Sequence, residues 1–270
     1  MTTPYNHNGF LDGLIHSWIL RHREQFEAVF EEAKALNRHC HEFIDGLRVD
    51  LGNEKQIVTS VLFARLLELY QGAFVIAERG LTTPLRILFR TFLEAFFHHA
   101  AIHIDATYLN EYLNQFYVQR KKLINRLRKS TSPRLDDLRQ GIDEALVSEI
   151  ERTINEKGAR RVSVEEVARR AHLHDVYVTV YEILSRAIHT SASDLESHIR
   201  FCEKTGKIQG SRYGPSSEET RRVLCLMGMW LAEALEQVSN TFGEDRKAMC
   251  VSHKDKFQQL LRCENSEEHI

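Results

Sequence analysis

The stretch Leu85-Arg86-Ile87-Leu88-Phe89-Arg90-Thr91-Phe92-Leu93-Glu94-Ala95-Phe96-Phe97-His98 is apolar at nearly every position except 86, 90, 94 and 98. Four-residue spacing puts those four side chains on one slowly drifting helical face, with Arg90 and Glu94 a turn apart. A helix that is apolar on its other sides belongs in the middle of a packed structure. Its polar stripe then has two readings. It is a solvated stripe with an ordinary ion pair worth a few tenths of a kcal/mol, or it is an interior polar seam.

Working outward, the rest of the chain is also helical in pattern, and the predicted fold is a single all-α helical bundle. The chain holds 13 Gly and 4 Pro in 270 residues, about half the usual share of roughly 12%. Sheets need many turns, and turns lean on Gly and Pro, so this shortage predicts long helices with few connections. A long first helix is expected from Phe10 to Leu47, with Phe10, Leu14, Trp18, Val29, Leu36, Phe43 and Leu47 as its apolar stripe. A second runs from Glu54 to Arg79 and stops at Gly80, which suits a left-handed helix end. Thr83 as cap and Pro84 as first helical residue open a third, ending near His103. Asp105 caps a fourth, to Lys129, and Ser132-Pro133 opens a fifth, to Gly158. Ser163-Val164-Glu165-Glu166 reads as a capping box for a short helix to Ala171. Further helices span Asp175–His189, Ser217–Thr241 and Glu244–Cys263. Phe201 to Pro215, with Gly206, Gly210 and Gly214, is a Gly-rich surface loop with room for a small hairpin. The expected organisation is a long N-terminal helix (1–53), a core helical region (54–200), and a loop with a C-terminal helical pair packed on the core (201–270).

Lys and Arg number 36 against 38 Asp and Glu, a formal charge of −2, so no protein-wide field draws nucleic acid or anionic membrane. With 43% hydrophobic and 27% charged residues, global disorder and a collagen-like repeat are excluded. Cys40, Cys202, Cys225, Cys250 and Cys263 are scattered without a C-x-x-C, which suits free buried thiols in a reducing cytosol. Met1 to Gly13 has no basic-then-apolar leader. The apolar stretch Leu81–Ala101 is cut by Arg86, Arg90 and Glu94, a poor membrane span. These features lead to the expectation of a cytoplasmic protein with no membrane partner, a homodimer through an apolar helix face.

A second polar stripe lies on the helix from Asp175 to His189. Tyr177, Tyr181, Ser185 and His189 stand at four-residue steps among Val178, Val180, Ile183, Leu184 and Ile188. Glu182 and Arg186 form a neighbouring pair that reads as surface decoration. If the two stripes face each other, Arg90, Glu94, Tyr181, Ser185 and His189 line one polar seam, with Arg86 and Tyr177 in support.

Other constellations are weaker. Glu94-x3-His98 and His99-x3-His103 have one-turn spacing, but H-E-x-x-H and the paired Glu-x-x-His of di-iron bundles do not occur, so no metal and no cofactor are expected. His39-Cys40-His41 places i and i+2 on opposed sides of a helix. Arg120-Lys121-Lys122 with Arg126, Arg128 and Lys129 suits phosphates, and suits a solvated helix C-terminus better. No Walker loop, G-x-G-x-x-G or nucleophile elbow is present.

The segment Leu66 to His198 resembles a bacterial family of unknown function, DUF5677. The residues that carry the resemblance are Gly80-Leu81, then Leu88-Phe89-Arg90-Thr91-Phe92-Leu93-Glu94-Ala95, and later Tyr181-Glu182-Ile183-Leu184-Ser185-Arg186-Ala187-Ile188-His189. The chain also looks like the helical ribonuclease and nucleotide-binding (HEPN) domains of prokaryotic toxin and antiphage systems. Those domains are marked by Arg, four to six residues, then His. Arg169 and His174 fit that spacing but fall at a predicted helix break, and Arg186 to His189 is too short. An Arg and a His from different helices, Arg90 and His189, are the better pair.

Two functions are therefore expected from different classes, and whether the chain is an enzyme stays open. One is metal-independent phosphodiester chemistry on RNA or a nucleotide, as a toxin or antiphage effector. His189 acts as general acid or base, Arg90 steadies charge on phosphate and Glu94 orients Arg90. Tyr181 and Ser185, with Arg86 and Tyr177, hold the substrate or His189. The other is a non-catalytic helical sensor or adaptor that binds a ligand or partner protein, the seam being a structural network.

Overall fold

The computed structural model describes residues 9–188, 195, 198–202, 205–211 and 213–262. Its helices are α1 (Ile15–Gln25), α2 (Glu27–Gly46), α3 (Glu54–Glu78), α4 (Thr82–Ile104), α5 (Tyr108–Lys129), α6 (Asp136–Gln140), α7 (Glu144–Glu156), α8 (Val164–Arg170), α9 (His174–Val176), α10 (Glu182–Ile188), α11 (Thr220–Thr241) and α12 (Lys247–Arg262). A π-helical turn, Tyr177–Tyr181, joins α9 to α10. Strands β1 (Ile199–Phe201) and β2 (Ile208–Ser211) form an antiparallel hairpin in the Gly-rich region. The fold is all-α apart from that hairpin.

The chain divides into two compact units, Met1–Ala100 with Asp175–Ile270, and Ala101–His174. In the first, α11 packs against α2, α3 and α12 and buries Val223, Leu224, Met227, Leu231, Leu235 and Val238. Gly228 decides how near α12 comes: a Cβ there would sit 2.5 Å from the Phe257 ring, and Phe257 is fully buried. Phe43 meets Phe63 edge-on at 5.8 Å, and Phe89 stacks on Trp230 at 5.7 Å. By length and composition α3 could cross a membrane. Its Leu62, Phe63, Leu66, Leu67, Ala73 and Ala77 are buried in this unit.

In the second unit α5 packs on α7. Arg170 gathers Asp105, Glu111 and Glu166 at 3.4, 2.8 and 3.2 Å and lies over the ring of the buried Tyr108. Two cations of the basic run on α5 pair locally, Lys121 with Glu151 at 3.2 Å and Arg128 with Glu144 at 2.5 Å.

Several expected boundaries are corrected. The single helix from Phe10 to Leu47 is two, broken at Phe26 with φ −115° and ψ 29°. The stripe drawn for it passes straight from Trp18 to Val29, whereas Ile19, His22 and Phe26 are buried between them, Phe26 beneath the Arg221 guanidinium. Leu14, placed on that stripe, is 51% exposed. Thr83 is the second residue of α4 and not its cap, and Pro84 sits third, still within the turn whose N–H groups have no helical acceptor. The expected helix from Ser132 to Gly158 is interrupted at Gly141, and Asp143 restarts it by accepting from the Ala145 N–H at 2.9 Å. Asp105 accepts from the Thr107 N–H at 2.9 Å and stands two residues before Thr107, the cap position of α5. Ser163 does cap α8, accepting from the Glu166 N–H at 3.1 Å. The reciprocal half of the box is missing because Glu166 turns to Arg160 and Arg170 instead.

Candidate functional site

Within the first unit, the polar stripe of α4 meets the π-helical turn Tyr177–Tyr181 and α10. Arg90 donates its Nη1–H to Glu94 Oε2 at 3.1 Å and its Nε–H to Ser185 Oγ at 3.2 Å. Its guanidinium carbon lies 4.6 Å from the centre of the Tyr181 ring, a cation–π arrangement. Tyr181 donates its hydroxyl to the same Glu94 Oε2 at 3.0 Å, and Ser185 donates to the Tyr181 carbonyl at 2.9 Å. Arg90, Glu94, Tyr181 and Ser185 thus form one connected cluster. Burial, opposed in part by Arg90, raises the Tyr181 hydroxyl above its ordinary value, and the carboxylate beside it acts the same way. The phenol therefore stays a donor through the working pH range.

The local reason is periodicity. Phe89, Phe92, Leu93, Phe96 and Phe97 hold α4 in the core, which turns the remaining stripe toward Tyr181. Phe97 packs against the Tyr181 ring at 5.8 Å, and Tyr177 stacks on it at 5.2 Å with 22° between the planes. Both tyrosines lie in the π-helical turn, a geometry found disproportionately at functional sites. No Pro or Gly marks that turn in the sequence. The seam is half-buried: the Arg90 and Glu94 side chains are 22% and 38% exposed.

Arg86 stands apart. Its guanidinium donates to Glu219 Oε1 at 2.9 Å, and Arg222 takes the other oxygen at 2.7 Å. Burial pushes the Glu219 carboxyl up, yet these two guanidinium groups outweigh it and hold it below the usual range. His189, the residue expected to carry acid–base chemistry, lies outside the described residues, as do the Arg186 side chain and Cys263. Arg169 and His174 both reach Glu165, at 2.7 and 3.2 Å, and that carboxylate occupies them.

Sequence reasoning missed a second polar chain. His253 Nδ1 lies 2.5 Å from Glu32 Oε1, and its Nε2 lies 2.8 Å from His39 Nδ1. A carboxylate only accepts, so His253 donates through Nδ1 and accepts from His39 through Nε2. His253 is 3% exposed. Its burial lowers the ring's affinity for a second proton despite Glu32, and His39 and Lys256 act in the same direction as burial. His39 and His253 are 214 positions apart, so no local spacing announces the pair. His41 turns away to Gln71, as opposed i and i+2 positions require. Among the described residues, no three His, Cys, Asp or Glu side chains converge as metal ligands.

Residues 56–208, more than half the chain, match a family of unknown function, DUF5677. No curated protein and no solved structure gives a significant match.

Proposed function

The chain belongs to the family of unknown function DUF5677, and we propose that it acts as a non-catalytic helical sensor or adaptor. The observation that carries this reading is the closure of the seam. Arg90 spends its Nε and Nη1 donors and its flat face on Ser185, Glu94 and Tyr181. A guanidinium waiting for a phosphate would keep its fork open. A connected polar cluster of this kind instead fixes the relation of two helices, so a ligand or partner that shifts one helix is felt by the other. The protein works in the cytoplasm as a homodimer through an apolar helix face. Light scattering at twice 31.4 kDa supports that assembly, and a monomer rejects it.

One observation favours the phosphodiester reading: the seam is only half-buried, so RNA or a nucleotide could reach Arg90 and Glu94. In that reading His189 supplies the acid–base step, as the likeness to HEPN-type toxin and antiphage ribonucleases implies. RNA cleavage in EDTA separates the two. The sensor reading expects equal background with wild type and His189→Ala. Cleavage by wild type that His189→Ala abolishes would install the enzyme in its place.

A further inference from the structure

The first unit contains a cavity of about 710 Å³ at the start of α4, bounded by α1 and the segment before α11. That is within the roughly 300–1,000 Å³ of ordinary small-molecule sites. Its walls differ in chemistry. Its lining includes Arg21, which pairs with no carboxylate among the described residues, and Thr82 and Thr83, the first residues of the 23-residue α4. The Thr82 and Thr83 N–H groups have no helical acceptor, and the helix dipole favours negative charge there. Pro84 carries no N–H, and the Leu85 N–H is bonded to the Leu81 carbonyl at 3.0 Å. Trp18 and Tyr213 add aromatic rings to the same lining.

His22 adds a buried polar group to the lining. It is 2% exposed, and its Nε2 engages Thr220 at 3.1 Å. Its Nδ1, near the Ala77 carbonyl, makes no hydrogen bond of good geometry. Arg86 lines the cavity but is already tied to Glu219, and Glu218 is the carboxylate on its rim. Gly80 shapes the floor, because any side chain there would run into Trp18 and the Ser216 backbone.

We propose that this cavity binds a mononucleotide-like phosphate ester. The phosphate sits between Arg21 and the first turn of α4, and the flat aromatic body lies against Trp18 and Tyr213. Guanidinium and helix N-terminus recognise the same anion, each by charge-assisted N–H donors. The aromatic wall adds stacking that inorganic phosphate cannot use. The proposal gives the sensor reading its ligand, and it rests on that reading only for the consequence of binding. Arg90 is one turn beyond Arg86 on α4, so a ligand at the start of this helix bears directly on the seam.

The chain has two tryptophans, Trp18 and Trp230, so Trp230→Phe leaves Trp18 as the single reporter in the cavity. Titration with AMP, GMP, CMP and UMP should change its emission saturably for at least one of them. The matching nucleoside and inorganic phosphate should each bind about tenfold more weakly or worse. Arg21→Glu should weaken the nucleotide by a similar factor and leave the nucleoside unchanged. Arg21 is exposed, so its variant keeps the fold, which an unchanged urea midpoint verifies. Calorimetry on wild type repeats the titration without Trp230→Phe. Absence of saturable binding by both methods, or binding indifferent to Arg21→Glu, overturns the site and leaves the sensor reading to a partner protein. Binding that leaves amide exchange of Tyr177–Ser185 unchanged keeps the site and removes the coupling to the seam.

Discussion

Gly80→Ala is expected to cost about 3 kcal/mol of stability, by two separable mechanisms. Gly80 closes α3 with its N–H on the Ala77 carbonyl at 2.9 Å, while the Leu81 N–H reaches Ile76 at 3.3 Å. That is the Schellman arrangement, and its φ is +66°. An alanine in the left-handed region costs about 1–2 kcal/mol. Its Cβ would also lie 2.8 and 2.9 Å from the Ser216 N and O and 2.5 Å from Trp18. Backbone cannot rotate aside like a side-chain tip, so overpacking adds about 1–3 kcal/mol. Gly243 supplies the control within the same unit: φ is +74° and nothing lies within 4 Å of its Cβ position. Gly243→Ala should lose only the backbone part, about 1–2 kcal/mol. Urea midpoints compare the two, and equal losses would contradict the close approach at Ser216.

The second large effect is acid destabilisation. His22 is buried between Trp18, Phe26 and Phe30, with Trp18 stacked at 4.4 Å. Burial lowers its pKa from 6.5 to about 4, although the Ala77 carbonyl acts the other way. The unfolded chain therefore takes a proton near pH 6.5 that the native state refuses until about pH 4. Stability is full above pH 6.5 and falls as pH drops from 6.5 toward 4, by about 2 kcal/mol at pH 5 and about 3 in all. Burial lowers His98 and His253 as well, each against a neighbouring carboxylate, so their contributions have the same sign. Urea unfolding between pH 7 and 4.5 should show this slope, and His22→Gln should reduce it. A flat profile down to pH 5 would mean that His22 meets water.

The all-α fold was legible because the relevant signals are local. Gly80 ends α3 where its backbone freedom is needed, Ser163 caps α8, and the scarcity of Gly and Pro excludes a large sheet. The meeting of Arg90 and Glu94 with Tyr181 and Ser185 was legible from two four-residue repeats, since two apolar helices of one core must turn their polar stripes somewhere. Breaks set by packing were not legible. Phe26 departs from helical geometry with neither Pro nor Gly beside it, and the π-helical turn at Tyr177–Tyr181 is likewise unsigned. Nor could spacing show that Arg86 would leave the stripe for Glu219, or that His39, Glu32 and His253 would align, because those partners come from distant segments.

The central claim is that Arg90 and Glu94 hold each other within a structural seam. A double-mutant cycle by urea unfolding with Arg90→Met, Glu94→Leu and the pair tests it most directly. Removing one partner of a fully buried pair costs about 3–5 kcal/mol and of an exposed pair about 0–1. The half-buried seam should lie between, with each single change losing about 1–2 kcal/mol. The double variant removes both charges and should recover most of that loss, a coupling of about 1 kcal/mol or more. Single losses below about 0.5 kcal/mol that simply add would show two independent solvated side chains, and the seam would not exist as an energetic unit.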